Sequence, residues 1–432
     1  MKSLEIQPTP ENIRQTYLED SIGRTASVND FVSILNTIEG HYSIALEGNW
    51  GSGKTFFINQ VKMVLDSFNY FSKLKNKEEI KNKFIESLDT NEHNLELYKT
   101  VYFDAWSNDN DNDPLLSLIY SIIQSESIKF EDNHKADITK ILTTIIDAFS
   151  PIKTTDLLNA YENKDNNKDI FEEIKQANQL KNNVNKFFND ILSEQGNKLI
   201  IFVDELDRCK PTYAIKLLER IKHYFDNDKI VFVFSINSNE LQHTIKKCYG
   251  NDFNATKYLD RFFDFKIPLP KVNKDKYAID FDLNSNFVYD RCSILFIKTY
   301  NLELREIAKY AQQLKLVKER FGLKTSPDTY VIKPYFVGSY TKDNYILSHY
   351  FIPIIIGLKF VDNDLYEKFI NGENAQPLTD VLNSDNDFQE RFYSRTNSSP
   401  ETVYNQIYND DDGQFWHILE HLQKITNFLK TN

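Results

Sequence analysis

The stretch Gly48-Asn49-Trp50-Gly51-Ser52-Gly53-Lys54-Thr55 constrains this chain more than any other. It fits G-x-x-x-x-G-K-[ST], the loop whose backbone N–H groups surround a phosphate. Tyr42-Ser43-Ile44-Ala45-Leu46 before it reads as a short buried strand, and Thr55 to Leu65 after it reads as an amphipathic helix. That strand–loop–helix setting is what the motif requires, because the new helix aims its positive dipole end at the same phosphate. Lys54 is expected to reach the β- and γ-phosphates, and the Thr55 hydroxyl to ligate Mg²⁺.

A second anchor lies at Lys198-Leu199-Ile200-Ile201-Phe202-Val203-Asp204-Glu205. A strand buried on both faces of a parallel sheet reads as a continuous apolar run, and function gathers at carboxyl ends of such strands. Both acids stand there. Asp204 is expected to hold Mg²⁺, usually through water, and Glu205 to orient and deprotonate the attacking water. Leu206-Asp207-Arg208 then opens a helix expected over Pro211–Phe225.

Further buried strands are expected at Thr100–Trp106 and Lys229–Asn237, and a short strand at about Phe265–Leu269. Asn237 ends the second of these, where a polar side chain meets the γ-phosphate and the attacking water. Upstream, Ile22, Gly23 and Arg24 precede a helix signal at about Asp30–Ile38. Two readings stand for them: the lining of a nucleotide-base pocket, or an ordinary loop before a helix. Asn108 to Pro114 imitates the start of a calcium loop, but Pro114 replaces the required glycine and Tyr120 the bidentate glutamate. It is read as a turn capping a helix over Leu115–Gln124. The polar block 125–196 is read as a helical spacer or partner surface.

Composition sets outer bounds. The 432 residues carry 51 Lys and Arg against 63 Asp and Glu, a net charge of −12. Such a balance does not suggest a general nucleic-acid binder, though a local basic patch is left open. Cys209, Cys248 and Cys292 are too scattered for a metal pattern or a disulfide framework, so a reducing cytoplasm is the expected home. No apolar run of membrane-spanning length occurs, and the first residues lack the apolar core of a signal peptide. Phe351–Leu358 is read as core. Near the C-terminus a helix is expected over Gln414–Leu429. Its His417-Ile418-Leu419-Glu420-His421 matches one zinc-peptidase signature, yet too little chain follows to supply the further acidic ligand.

Taken together, the motifs resemble the KAP family of P-loop NTPases, relatives of the AAA+ and STAND ATPases. The likeness rests on Gly48–Thr55 with its internal Trp50, Phe103-Asp104-Ala105-Trp106, Phe202 to Cys209, Tyr258-Leu259-Asp260-Arg261 and Arg305. It spans about residues 12–375. The resemblance implies that Lys54, Thr55 and Asp204 bind ATP and Mg²⁺, that Glu205 is the catalytic base, and that Asn237 takes the sensor position. It implies a finger reaching a neighbouring subunit for Arg261 and a lid sensor for Arg305. From the residues alone, Arg261 reads equally as a surface partner of Asp260 or Asp264. Asp104 departs from the family's more frequent Asn, a group thought to restrain the catalytic Glu; two carboxylates there would repel. Many relatives carry membrane helices between the two motifs and this chain does not, so the resemblance implies a soluble, bacterial-type member. Some relatives serve in defence against phage or plasmids, a role that the resemblance implies and no residue shows.

The expected fold is a three-layer α/β P-loop NTPase with a parallel sheet, helical insertions and a helical C-terminal lid. The core is expected over 12–300 with an insertion at about 107–196, the lid over 301–375 and a small helical region over 376–432. The expected function is Mg-dependent ATP hydrolysis coupled to conformation or assembly, with a homo-oligomer or protein partner. The alternative is a slow nucleotide-gated scaffold. A nucleotide kinase is disfavoured because no Arg-rich lid with a monophosphate site is visible, and GTP because no N-K-x-D motif occurs.

Overall fold

Apolar runs separated by helices assemble into one parallel sheet. The computed structural model describes residues 7–87, 97–125, 181–189, 192, 197–225, 227–321, 345–408 and 423–427. Its strands are β1 (Tyr42–Glu47), β2 (Tyr98–Asp104), β3 (Lys198–Asp204), β4 (Ile230–Ile236) and β5 (Phe265–Pro268). They lie in the order β2-β3-β4-β1-β5, and each neighbouring pair is parallel. Every residue of β3 and β4 is buried, because helices cover both faces.

The two faces can be read residue by residue. Ile201 and Val203 of β3, with Phe232 and Phe234 of β4, pack with α5 (Pro114–Gln124), α6 (Pro211–Tyr224) and α7 (Ser238–Tyr249). Ile200, Phe202, Val231 and Val233 pack against α1 (Pro10–Glu19), α2 (Thr25–Thr37), α3 (Lys54–Phe68) and α4 (Lys77–Ile85) on the other side. The result is the three-layer α/β fold expected from the sequence. Thr9 caps α1 and Asp113 caps α5, each through its side-chain oxygen. β2 stops at Asp104, where the Asp104 carboxylate turns back to accept from Ser107 N at 2.9 Å. Ala105 and Trp106 therefore lie in a turn rather than in the strand. A short helix, α8 (Ala255–Leu259), precedes β5.

The chain divides into two compact units. The sheet unit comprises Pro8–Asp20 and Arg24–Lys271; the helical unit comprises Met1–Gln7, Ser21–Gly23 and Val272–Asn432. The division falls after Lys271 rather than near 300, because α9 (Lys274–Ile279) and α10 (Val288–Thr299) give Tyr277, Tyr289 and Phe296 to the helical unit's core. That same core takes in α11 (Leu304–Phe321), α12 (Ile352–Val361), α13 (Asn363–Ile370), α14 (Gln376–Asn383), α15 (Asn386–Thr396) and α16 (Pro400–Tyr408). The segments 301–375 and 376–408 thus share one core. Phe351–Leu358 is buried throughout, as read from its apolar sequence. Gly357 lets α12 approach α10 closely: a Cβ there would meet Phe296 Cε1 at 2.3 Å. Most of the 125–196 block and all of His417–His421 lie outside the described residues. Among the described residues, no helix is long and apolar enough to cross a membrane.

Candidate nucleotide site

Strand register brings the sequence's two anchors to one edge of the sheet. Glu47 stands opposite Ile236, and Asp204 opposite both Ser235 and Asp104. The phosphate loop leaves β1 at this level and α3 starts at Lys54, directly after Gly53. Gly51 and Gly53 have φ of 80° and 88°, a region that L side chains rarely adopt and glycine enters freely. The loop therefore turns its backbone inward at the N-terminus of a 15-residue helix, the arrangement that favours an anion.

Lys54 is almost fully buried, and its Nζ donates to the Gly48 and Asn49 carbonyls at 2.7 and 3.0 Å. Burial lowers its proton affinity, while Asp207, Asp204 and Glu205 oppose that shift. The ammonium is thus folded back on the loop's own oxygens, at the place where phosphate oxygens would compete for it. Thr55 Oγ1 donates to Asp204 Oδ2 at 2.7 Å, and the Tyr102 hydroxyl donates to the same oxygen at 3.1 Å. Asp204 Oδ1 accepts from Glu205 N at 3.0 Å. Burial pushes the Asp204 carboxyl up; Thr55, Ser235, Tyr102 and the Glu205 N–H counter it. Ser235 Oγ is itself buried near the Asp204 carboxylate, close enough to favour its charge but outside hydrogen-bond geometry, and it has no other hydrogen-bond partner among the described residues. A hydroxyl, a carboxylate and an orphaned hydroxyl converging at the mouth of a phosphate loop make a hard oxygen donor set. It suits Mg²⁺, which keeps waters and takes few protein ligands. The residues present therefore fit both groups.

Glu205 follows Asp204 in the left-handed region, with φ of 60°. Desolvation and the neighbouring Asp204 push its carboxyl up to about 7, against Arg208. Arg208 forms an ion pair with it through Nε, and the Arg208 guanidinium lies over the Trp106 ring, 5.6 Å from its centroid. Asp104 does not reach for Glu205; it accepts from Ser107 N and Oγ at 2.9 and 2.6 Å. Trp50 Nε1 donates to Asp207.

Other expected site residues fall as follows. Asn237 directly follows β4, and its Oδ1 caps α7 by accepting from Asn239 N and Glu240 N at 3.2 and 3.5 Å. Arg24 is buried; its Nε donates to Pro270 O at 2.7 Å and its Nη1 to Ser52 O at 2.9 Å. Ile22 and Gly23 belong to the helical unit, where Asn273 N donates to Ile22 O at 3.0 Å. Arg305 is exposed on α11 of the helical unit. Arg261 follows α8 with its side chain exposed, and makes no ion pair among the described residues. Asp260 pairs instead with Lys266, and Asp264 accepts from Ser43 N at 2.8 Å.

Sequence reasoning missed Tyr102, Ser235 and the Arg208–Trp106 pair. Tyr102 was concealed as one aromatic in an apolar strand. Arg208 left a usable signal: it lies three residues beyond Glu205, the reach of one tight turn.

A family model described as the KAP family P-loop domain matches residues 24–319, more than half of the chain. No curated protein matches.

Proposed function

The chain belongs to the KAP family of P-loop NTPases, and on that premise we propose that it binds Mg-ATP and hydrolyses it in the cytoplasm. The observation that carries this reading is the convergence of Thr55 and Asp204 at 2.7 Å beside the buried Lys54. Lys54 would exchange the Gly48 and Asn49 carbonyls for β- and γ-phosphate oxygens. Thr55 and Asp204 would hold Mg²⁺, whose contribution is to neutralise phosphate charge. Glu205 would take the proton of the attacking water, and the Asn237 Nδ2 group, left over from helix capping, would orient that water or the γ-phosphate. The chain's part is positioning and charge stabilisation, as in phosphoryl transfer generally.

The exposed Arg261, with Asp260 and Asp264 already engaged, supports a role for this arginine at a neighbouring subunit and hence nucleotide-coupled assembly. A slow nucleotide-gated scaffold is the second reading. The observation favouring it is that Glu205 is held by Arg208. Service against phage or plasmids rests on family membership alone.

Glu205→Gln distinguishes the two readings, because it preserves size and hydrogen-bonding reach but removes the base. In an ATPase the variant binds ATP and loses about 100-fold or more in turnover. A variant hydrolysing ATP at the wild-type rate overturns Glu205 as base. Wild-type protein that binds ATP and never turns it over leaves the scaffold.

A further inference from the structure

A general base needs a carboxylate free to face the water it activates. Glu205 is not free. Its carboxylate is paired with Arg208, and the Arg208 N–H donates to Glu205 O at 3.1 Å, closing the tight turn Leu206–Arg208. The guanidinium is backed by the Trp106 ring. Three contacts thus set the position of one side chain. The residue best placed in β2 to restrain Glu205, Asp104, is engaged with Ser107 and carries the wrong charge to attract a carboxylate.

Two further observations bear on this turn. Glu205 is a non-glycine residue at φ of 60°, a conformation costing roughly 1–2 kcal/mol that persists only where the surroundings hold it. The same turn is also tied to the phosphate loop, since Trp50 Nε1 donates to Asp207 Oδ2 at 2.5 Å. A change in the loop on nucleotide binding therefore has a direct mechanical route to the residues flanking Glu205.

We propose that Arg208 is a latch on the catalytic base: it withholds the Glu205 carboxylate in the resting protein, and hydrolysis requires the pair to open. This rests on the reading of Glu205 as the base. The pair is half-buried, with side-chain exposures of 24% for Arg208 and 18% for Glu205. Pairs of this kind are weak enough to be opened by ordinary binding events. Arg208 acts through Glu205 and is a positioning residue, not a catalytic one.

The test is steady-state Mg-ATP turnover of the full chain as wild type, Arg208→Ala, Arg208→Lys, Glu205→Gln and the double variant Arg208→Ala/Glu205→Gln, with ATP affinity measured alongside. The latch requires Arg208→Ala to raise kcat about fivefold, the release of one partly exposed pair. KM and ATP affinity should stay near the wild-type values, Arg208→Lys should return kcat towards wild type, and the double variant should be as inactive as Glu205→Gln. A gain in rate cannot come from misfolding. Should Arg208→Ala fail to fold, Trp106→Leu, at a ring that is 51% exposed, removes the backing of the arginine and should raise kcat by a smaller factor. A folded Arg208 or Trp106 variant turning over at or below the wild-type rate overturns the latch, while an inactive Glu205→Gln beside an active wild type keeps the ATPase reading intact. Silence of wild type and every variant removes both.

Discussion

Trp50 in the phosphate loop and Asp207 in the turn after β3 are joined by a hydrogen bond from the indole N–H to the carboxylate. The bond connects the phosphate loop to the turn that follows Glu205, the proposed base, across 157 residues of sequence. A charge-assisted bond of this kind contributes on the order of 1–2 kcal/mol when partly shielded. Trp50→Phe and Asp207→Asn, combined in a double-mutant cycle of urea unfolding, should show a coupling energy of about 1 kcal/mol. Strict additivity of the two changes would mean that the contact carries nothing.

Lys54→Ala should lower Mg-ATP affinity by about 100-fold or more, an order set by the loss of a charged partner for two phosphates. Its Nζ contacts are backbone carbonyls of the loop itself, so far-UV circular dichroism should be unchanged. Titration calorimetry giving wild-type affinity for the folded variant would refute the role.

Arg24→Ala separates the two readings of the segment before α2. The buried guanidinium donates to Ser52 O and Pro270 O, so it supports the loop's backbone. Its loss should destabilise the protein by about 2–3 kcal/mol, since two acceptors and a buried cavity are left behind. If that support is its contribution, ATP and GTP affinities fall by the same factor. A change confined to one nucleotide would instead place Arg24 at the base.

The legible parts of this protein were those in which local sequence dictates backbone. The glycines of Gly48–Thr55 permit the left-handed turns that a phosphate loop needs, and the unbroken apolar run Leu199–Val203 ending in two acids fits a strand buried on both faces. Phe351–Leu358 could likewise be assigned to the core from its side chains alone. The contacts of Tyr102 with Asp204 and of Trp50 with Asp207 depend on strand order, which places β2 beside β3 and inserts β4 between β3 and β1. No local pattern encodes that order. The unit boundary was displaced for a similar reason: Tyr277 and Phe296 are ordinary helix residues until their shared core with Phe369 and Tyr404 is seen.

His349 gives the helical unit a pH dependence. Its Nδ1 lies 3.0 Å from Tyr345 O, and its ring stacks on Tyr345 with centroids 4.1 Å apart. Burial, with Arg395 and Lys318 nearby, lowers its pKa to about 4, from 6.5. The unfolded chain therefore takes up a proton first as pH falls, so stability present above pH 6.5 is lost progressively towards pH 4. The loss should be on the order of 3 kcal/mol. Urea midpoints of wild type and His349→Phe should diverge in slope across that window, with the variant the flatter of the two. Parallel curves would show that His349 does not titrate there.

Variants of Arg261 test whether the active unit is one chain or two. It stands just beyond α8 and just before β5, exposed. Had it been a surface partner of Asp260 or Asp264, those acids would face it; instead they are engaged by Lys266 and by Ser43 N. An exposed arginine at such a rim can neutralise transition-state charge on a neighbour's γ-phosphate, an effect of roughly 1,000-fold in rate where such fingers act. Arg261→Ala should bind ATP but fail to hydrolyse it. Mixed with Lys54→Ala, which is expected to bind ATP about 100-fold or more weakly yet keeps its arginine, activity should return in part, because each subunit supplies what the other lacks. Size-exclusion light scattering with and without a non-hydrolysable ATP analogue should show a nucleotide-dependent oligomer under the same conditions. Normal hydrolysis by Arg261→Ala alone would end the finger role. An inactive variant that mixing cannot rescue, where mixed oligomers demonstrably form, would return Arg261 to its own subunit.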